Sequence, residues 1–413
     1  MKHWGIVLLL CLGIVACSSD KKVAPKDGRI TLQEELIIPK SKQKIKLESS
    51  ENIFLVDSPA YNVQNKRPAL NKLSSSEDWK ISAAESQKDN GPFLSSPVIG
   101  KENVYTLDSN FVVRAHNRAN GEMLWQTPLG ENDIGLSLVK KGTQLIALSP
   151  KGKVISVNTD GKILWEKDFK TPFRNNPVLE KGNLYLLSSS NDMWVLDAQK
   201  GKEKWHYKTD APALFLQQMG TPAVSQETVI VPFSTGIVVA FDKNSGSYLW
   251  EEDMNGTKSF DRISNIAQMS SSPVIDEQIV YLVGHANKTG AFDLKSGRNI
   301  WILPYGSQLT PIVNGNAIFI LTQDNILMAL NKKDGHLFWQ TAIPEIKKLK
   351  GLYFLDQKII VIGQERVITL NALNGQIEDF ITAEFDGSIP VLAQDGWYYL
   401  RKNGKLIHQG QVQ

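Results

Sequence analysis

The sequence predicts an all-β protein built from repeats, and three observations lead to that prediction. The segment GEMLW at Gly121 recurs as GKILW, GKEKW, GSYLW, GRNIW and GHLFW, with 40, 40, 45, 51 and 38 residues between successive tryptophans. A short apolar marker, such as SSPVI at Pro97, opens each unit. The repeated region contains no amphipathic helical stretch. Self-similarity at a period of about 20–50 residues is typical of a repeat architecture.

The number of repeats follows from the opening markers. Six contain proline, at Pro97, Pro177, Pro222, Pro273, Pro311 and Pro390. Two more openings lack it, GLSLV at Ser137 and GLYFL at Leu352, which makes eight. Within a unit, short apolar runs separated by turn residues indicate four strands; in the first they are PVI, VYTL, FVVRAHN and MLWQT. We therefore expect an eight-bladed β-propeller of four-stranded antiparallel blades.

The repeated tryptophan is expected to have a structural role. The Gly-x-x-x-Trp motif places a tight turn between the third and fourth strands, where glycine supplies a positive φ. The tryptophan then lies on the outermost strand, where its ring can cover the seam to a neighbouring blade and bury roughly 150–250 Å². The residues assigned to this role are Trp79, Trp125, Trp165, Trp205, Trp250, Trp301 and Trp339. A seventh unit keeps Gly375 but has Asp379 and Phe380 at the tryptophan position.

The last repeat is one strand short. PVLAQ, WYYLR and KLIHQ supply three strands before the chain stops at Gln413. The segment EDWKISA around Trp79 precedes the first full unit and provides a tryptophan-bearing fourth strand. An N-terminal strand that completes the last blade would close the ring and cover an exposed sheet edge. The propeller is accordingly assigned to residues 73–413.

The N-terminus resembles a bacterial lipoprotein signal. A single lysine, a short apolar run and small residues lead to Cys17 in MKHWGIVLLLCLGIVACSSD, and the only other cysteine is Cys11. We expect residues 1–16 to be a signal peptide and Cys17 to be lipidated, since a multiply acylated cysteine holds a protein stably to a bilayer. The alternative is an ordinary signal peptide with an incidental cysteine.

Residues 17–72 are assigned to the lipidated N-terminus and a polar tether. From Ser18 to Lys72 there are eleven Lys and Arg against seven Asp and Glu. Lysines occupy every second position at Lys40, Lys42, Lys44 and Lys46. The tether is one interpretation of this segment; a basic contact for anionic lipid headgroups is the other.

Composition argues against several functions. A formal net charge of +3 without large single-sign blocks predicts no nucleic-acid partner. The six histidines are scattered, the repeated region has no cysteine, and no acidic cluster has the spacing of a calcium site, so we expect no metal and no cofactor. No phosphate-binding glycine loop or G-x-S-x-G element occurs. The sequence therefore predicts a protein that is not an enzyme.

Two segments of the sequence resemble those of a known protein family. GTPAVSQETVIVPFSTGIVVAFDKNSGSYLW and SSPVIDEQIVYLVGHANKTGAFDLKSGRNIW resemble the propeller repeats of pyrroloquinoline-quinone-dependent dehydrogenases and of related binding proteins. Together with the lipoprotein signal and eight units, the chain from Cys17 onward resembles the BamB family. The resemblance implies a non-enzymatic scaffold lipoprotein of the Bam complex, lipid-anchored at the periplasmic face of the outer membrane. The implied partners are the POTRA domains of BamA, other Bam subunits and unfolded outer-membrane proteins.

The resemblance also implies which residues contact the partner. In the family, one interblade loop has Leu-x-Leu-Arg and a neighbouring loop has an acidic pair after Asp-Arg. Here the first loop is APALFLQQMG, and its residues are Leu214, Phe215, Leu216 and Gln217, with glutamine at the arginine position. The second is SFDRISNIAQM, with Asp261, Arg262 and Asn265, and neither Asn265 nor Ala267 is acidic.

The same two loops are distinctive on the residues alone. They fall in the two longest repeat intervals, and three consecutive apolar residues in a loop favour a partner surface. The alternative is that the inserted residues fold back over a blade edge. Two other functions also stay open: a periplasmic propeller that binds another envelope protein or polysaccharide, and a degenerate quinoprotein dehydrogenase.

Overall fold

The structure is a computed structural model that describes residues 38–48, 79–83, 95–209, 219–255, 269–285, 287–382, 384–393 and 395–410. Contacts between residues divide the chain into two units, Met1–Ile38 and Pro39–Gln413. All strands belong to the second unit. No helix long and apolar enough to cross a membrane occurs within the described ranges.

Thirty-two strands form eight four-stranded antiparallel sheets, and each sheet is one blade of an eight-bladed β-propeller. Blades 1 to 4 each consist of four consecutive strands. Blade 1 contains β2 Val98–Ile99, β3 Asn103–Leu107, β4 Val112–Asn117 and β5 Met123–Pro128, and blade 2 contains β6 Ser137–Lys141, β7 Gln144–Leu148, β8 Lys153–Asn158 and β9 Ile163–Asp168. Blade 3 contains β10 Val178–Glu180, β11 Asn183–Leu187, β12 Asp192–Asp197 and β13 Glu203–Lys208, and blade 4 contains β14 Ala223–Val224, β15 Thr228–Pro232, β16 Ile237–Asp242 and β17 Tyr248–Asp253.

Blades 5 to 8 follow the same plan, except that the last takes its outer strand from the N-terminal side of the chain. They contain β18 Val274–Asp276, β19 Ile279–Val283, β20 Thr289–Asp293 and β21 Asn299–Leu303; β22 Ile312–Asn314, β23 Ala317–Leu321, β24 Ile326–Asn331 and β25 Leu337–Ala342; β26 Gly351–Leu355, β27 Lys358–Ile362, β28 Arg366–Asn371 and β29 Ile377–Thr382; and β30 Val391–Ala393, β31 Gly396–Leu400, β32 Lys405–Gln409 and β1 Trp79–Ser82. The predicted fold class and all eight openings are confirmed.

The four strands of a blade differ in burial in the way their sequences predict. Inner strands such as Asn183–Leu187 are continuous apolar runs and are buried after their first residue, because both faces pack against neighbouring blades. Outer strands alternate instead after a register shift at their start, as in Tyr248–Asp253, where Leu249 is exposed, Trp250 is buried and Glu251 is exposed. Alternation of this kind is expected for a strand with one face in solvent.

Each outer-strand tryptophan packs against the turn glycine of the next blade. The Trp250 ring lies on Gly297, where an added Cβ would be 2.7 Å from the ring, and its Nε1–H donates to the Leu294 carbonyl at 3.0 Å. The same contact recurs at six further seams: Trp79 on Gly121, Trp125 on Gly161, Trp165 on Gly201, Trp205 on Gly246, Trp301 on Gly335 and Trp339 on Gly375. In each, the indole N–H donates to a backbone carbonyl of the next blade at 2.9–3.1 Å.

The glycine serves two purposes at these seams. All seven have positive φ, between 66° and 88°, which an L side chain adopts only with strain. The missing side chain also leaves the space that the tryptophan ring fills. The motif Gly-x-x-x-Trp therefore joins two different seams, since the glycine receives the ring of the preceding blade and the tryptophan packs on the glycine of the following one.

The seam between blades 7 and 8 is built differently. Asp379 pairs with Thr369 at the position that tryptophan occupies elsewhere, and the neighbouring Phe380 is exposed. Tyr353 of blade 7 instead packs edge-on against Trp397 of blade 8, with ring centroids 5.7 Å apart. The Tyr353 hydroxyl also donates to the Pro390 carbonyl across the seam. Aromatic packing thus replaces the glycine–tryptophan contact here.

The outer strand of blade 8 is β1, which pairs antiparallel with β32 in the register Trp79 to His408 and Ser82 to Lys405. Next to it, the Arg118 guanidinium of blade 1 forms a half-buried ion pair with Asp395 of blade 8, at 2.5 Å from Nη2 to Oδ1. Burial opposes ionisation of Asp395, but hydrogen bonds from Arg118 and Tyr398 outweigh it and hold the pKa of this carboxyl below its ordinary value. This ion pair therefore links blade 1 to blade 8.

Part of the segment assigned to the tether lies on the propeller. Residues 39–48 run along blade 6, where Lys40 forms a parallel bridge with Leu337 at the edge of β25. Ile45 and Leu47 pack against the core shared by blades 6 and 7. This decapeptide belongs to the compact unit Pro39–Gln413.

A pair of alanine substitutions tests the glycine–tryptophan contact. Gly297 and Gly182 have almost the same φ, 71° and 76°, but only Gly297 has a tryptophan ring in the space of its Cβ. We expect Gly182→Ala to cost about 1–2 kcal/mol for the left-handed backbone, and Gly297→Ala to cost about 1–3 kcal/mol more, because the ring must move. Urea unfolding of both variants measures the difference. Equal costs would show that the glycine is needed for its backbone alone.

Deletion tests the contribution of β1 to the ring. Removing residues 73–84 leaves β32 with an unpaired edge and removes the Trp79 ring from Gly121, so we expect the melting temperature of the whole propeller to fall. Deletion of residues 18–37, which lie outside the compact unit, is the control and should leave it almost unchanged. Calorimetry measures the melting temperatures of both deletion variants. Similar decreases in melting temperature would contradict a closing role for β1.

Candidate partner-binding loops

The predicted contact residues fall on two neighbouring interblade connections. Residues 210–218 join β13 to β14, and residues 256–268 join β17 to β18. Leu214, Phe215, Leu216 and Gln217 of the first, and Asp261, Arg262 and Asn265 of the second, lie outside the described residues. Cys17 does so as well. Their roles stay predictions, and the structure informs them through the residues at the ends of each loop.

The two loops end next to each other. The backbone N–H of Gly220, just after the first loop, donates to the carbonyl of Met269, just after the second, at 2.9 Å. One residue on, the Thr221 N–H donates to Ser272 Oγ at 2.9 Å. Gly220 lies so close to the Ser271 carbonyl that a side chain would collide with it. The structure therefore brings the C-terminal ends of both candidate segments together.

These loop ends are fixed by burial. Met219 and Met269 are 4% and 1% exposed, and Met254, just before the second loop, is 1% exposed. On the other side, the Asn175 side-chain amide of blade 3 donates to the Gly220 carbonyl at 3.0 Å. Blades 3, 4 and 5 are thus joined at this point by backbone and amide hydrogen bonds, and the ends of the loops start from a rigid base.

The face of the propeller that carries the loops follows from the antiparallel topology. Successive turns of an antiparallel blade alternate between the two faces, so the connections from one blade to the next lie on the same face as the turns between second and third strands. We call this the connection face. Turns between first and second strands, and the Gly-x-x-x-Trp turns, lie on the opposite face, which we call the hairpin face. The described residues that follow the two candidate loops, Met219 and Met269, lie on the connection face.

Burial shifts the pKa of two titratable side chains in the propeller. Burial raises the pKa of the Tyr185 phenol to about 12. Burial lowers the pKa of the His116 imidazole, although a hydrogen bond with the Gly121 carbonyl opposes that effect. In the part of the chain that the structure describes, no group of three or more His, Cys, Asp or Glu could hold a metal ion.

A model of one protein family matches residues 109–341, which is more than half of the chain, and its description is outer membrane protein assembly factor BamB. The chain belongs to the BamB family.

Curated relatives agree with this assignment. A BamB from Yersinia pestis is 25% identical over 374 residues, which cover 87% of this chain and 93% of the relative. BamB of Escherichia coli K12 is 25% identical over 334 residues, 75% of this chain and 85% of the relative. These relatives are named for an assembly factor and not for an enzyme. Family membership places the chain among assembly factors of the bacterial outer membrane.

Solved structures show the same fold in proteins of different function. The crystal structure of BamB from Moraxella catarrhalis matches with a TM-score of 0.68 at 16% identity, covering 81% of this chain and 99% of that chain. A europium-containing methanol dehydrogenase matches with a TM-score of 0.63 at 10% identity, covering 83% and 88%. At such identities the likeness shows the propeller fold alone. The BamB assignment therefore depends on the sequence comparisons.

Proposed function

We propose that this protein is a non-enzymatic scaffold lipoprotein of the outer-membrane β-barrel assembly machinery. It docks onto the POTRA domains of the BamA subunit through the loops 210–218 and 256–268, and so assists insertion of outer-membrane proteins. The observation that supports this most is the hydrogen bond from the Gly220 N–H to the Met269 carbonyl, because the two loops expected to contact one partner end side by side.

The energetics of the proposed interface favour apolar contact. Interfaces concentrate their free energy in a few buried apolar or aromatic residues within a polar rim. Leu214, Phe215 and Leu216 supply such residues, whereas Gln217 cannot form the ion pair that the family's arginine allows. Asp261 and Arg262 supply polar contacts, with Asn265 in a neutral position. The apolar triplet is therefore expected to contribute the larger share of the binding free energy.

The rigid base of the loops supports the same proposal. Association is weakened when a binding segment must be ordered at the moment of contact. Here the ends of both loops are fixed by buried methionines and by hydrogen bonds among three blades. The described flanks of the loops therefore need no ordering when a partner binds.

The proposed location is the periplasmic face of the outer membrane, through a lipid on Cys17. Ser18 follows the cysteine where an inner-membrane retention signal often has aspartate. Other subunits of the Bam complex and unfolded outer-membrane proteins are the further partners that this location allows. A propeller that binds another envelope protein through the same loops is the alternative that the partner experiment below separates.

A charge placed in the apolar triplet tests the interface. Leu216→Asp forces a carboxylate into a dry contact, and we expect capture of BamA POTRA domains to fall by at least about tenfold. Leu164→Asp is the matched control, because Leu164 is a 48% exposed leucine on the outer strand of blade 2. Arg262→Glu should weaken capture less than Leu216→Asp. Surface plasmon resonance with purified POTRA domains provides the affinities, after circular dichroism shows normal folding.

Undiminished capture by folded Leu216→Asp would remove the first loop from the interface. An equal loss in Leu164→Asp would show that any added carboxylate disturbs binding and would argue against a specific site. No capture by the unaltered protein would favour another envelope partner.

Replacement of Cys17 tests the anchor. Cys17→Ala removes the sulfur that acylation requires, so we expect unprocessed or soluble protein in place of an outer-membrane fraction. Labelling of growing cells with an alkyne fatty acid, followed by membrane fractionation, measures both effects. The companion variant Cys11→Ala should label and fractionate like the unaltered chain. Absence of label on the unaltered chain would contradict lipidation.

A further inference from the structure

Residues 39–48 are held on the hairpin face of blade 6 through their backbone. The Asn316 side-chain oxygen accepts from the Lys46 N–H at 2.7 Å, and the Asn316 amide donates to the Lys44 carbonyl at 3.0 Å. The Asn314 side-chain oxygen accepts from the Glu48 N–H at 2.9 Å. At the other end, the Ser41 N–H donates to the Leu337 carbonyl at 2.8 Å. These bonds are independent of the lysine side chains.

The attachment leaves a row of charges in solvent. Ile45 and Leu47 are half-buried and pack on the propeller core. The alternate positions are exposed, and they are Lys40, Lys42, Lys44 and Lys46. A bend at Lys42 and Gln43 separates Lys40 from Lys44 and Lys46, which alternate with the half-buried Ile45 and Leu47. No acidic residue occurs between Pro39 and Leu47. We call these four side chains the lysine row.

The lysine row and the described ends of the candidate partner loops lie on opposite faces. Asn314 and Asn316 flank the turn between the first and second strands of blade 6, and Leu337 begins its outer strand, so all three lie on the hairpin face. Met219 and Met269, which follow the loops 210–218 and 256–268 in the chain, lie on the connection face. A surface bound by the lysine row therefore leaves the loops free for a second partner.

We propose that the lysine row binds the anionic headgroups of a lipid bilayer and turns the hairpin face of the propeller towards the membrane. Lysines near an anionic surface each contribute about fivefold to membrane affinity. Four exposed lysines within seven residues of a segment that is bonded to blade 6 can meet such a surface together. Headgroup phosphates suit it because lysine binds phosphate as a point charge without demanding a defined geometry.

The position of the row in the chain supports a lipid surface over another macromolecule. Lys40 is 23 residues from Cys17, a distance that spans at most about 80 Å when fully extended. With the proposed anchor at Cys17, the row stays within about 80 Å of the membrane, which raises its effective concentration there. This step depends on the proposed function, whereas the experiment below does not.

Vesicle binding by unlipidated protein tests the proposal. Residues 18–413 contain the whole compact unit and lack both cysteines. We expect this chain to sediment with vesicles of phosphatidylethanolamine and phosphatidylglycerol, and to do so less at high salt. Glutamine at Lys40, Lys42, Lys44 and Lys46 together should weaken this binding by at least about tenfold. The matched control places glutamine at Lys101, Lys162, Lys200 and Lys202, four exposed lysines on the hairpin turns of blades 1 to 3.

Equal losses in the two quadruple variants would show that net charge alone causes binding and would overturn the proposal. Binding that is unchanged without the lysine row, or that is as strong to neutral phosphatidylcholine vesicles, would overturn it too. Because the protein used has no Cys17, failure here leaves the lipid anchor and the POTRA interface untouched, and failure of either of those leaves this result standing.

A second measurement tests which face meets the membrane. Asp334→Cys and Asp324→Cys place one label each on exposed turns of blade 6, the first on the hairpin face and the second on the connection face. Nitroxide lipids should quench a fluorophore at residue 334 several-fold more than one at residue 324. Combining Asn314→Ala with Asn316→Ala should reduce that difference, because Lys44, Lys46 and Glu48 lose their bonds to the two side chains while Ser41 stays bonded to Leu337. Equal quenching at both positions in the unaltered background would contradict the proposed orientation.

Discussion

The contact between a turn glycine and the tryptophan of the preceding blade is the interaction on which the rest of this structure depends. It needs both residues, because the ring fills space that only a glycine leaves and the backbone adopts a φ that only glycine adopts without strain. Each contact covers a large ring, which is buried at Trp205, Trp250 and Trp301, and satisfies its N–H across the seam. Such contacts join seven of the eight seams between blades.

The seam between blades 7 and 8 is the exception, and it belongs to the blade that closes the ring. Blades 7 and 8 meet without a glycine–tryptophan contact, and Tyr353 and Trp397 pack there instead. Blade 8 combines strands from both ends of the chain, so Trp79 supplies the contact to blade 1 from outside the C-terminal repeat. The ion pair of Arg118 and Asp395 adds a polar bond at the same join. Residues 39–48, further upstream, attach to the hairpin face of blade 6, which leaves the connection face to the two inserted loops.

The sequence was sufficient for the blade count and for the strands, because the period of the apolar runs and the turn residues are local properties. It also indicated that Trp79 belongs to an outer strand, since the last unit lacked one. It did not indicate that Gly297 receives Trp250 and not its own Trp301, because that pairing arises only when blades are placed side by side.

The attachment of Lys44 and Lys46 to Asn316 was also missed. Those residues are about 270 positions apart, and an asparagine in a hairpin turn is ordinary without its distant partner. The loop residues Leu216 and Arg262 came from family resemblance and stay predictions, supported by the joined loop ends at Gly220 and Met269.

The proposed functions assign different partners to the two faces of the propeller. Amide hydrogen exchange of the purified protein, alone and with BamA POTRA domains, measures this most directly because it reports every segment at once. The account predicts slower exchange in residues 210–218 and 256–268 upon binding, with the hairpin turns of residues 314–316 and 331–337 unchanged. Protection confined to those hairpin turns, with both loops unaffected, would contradict it.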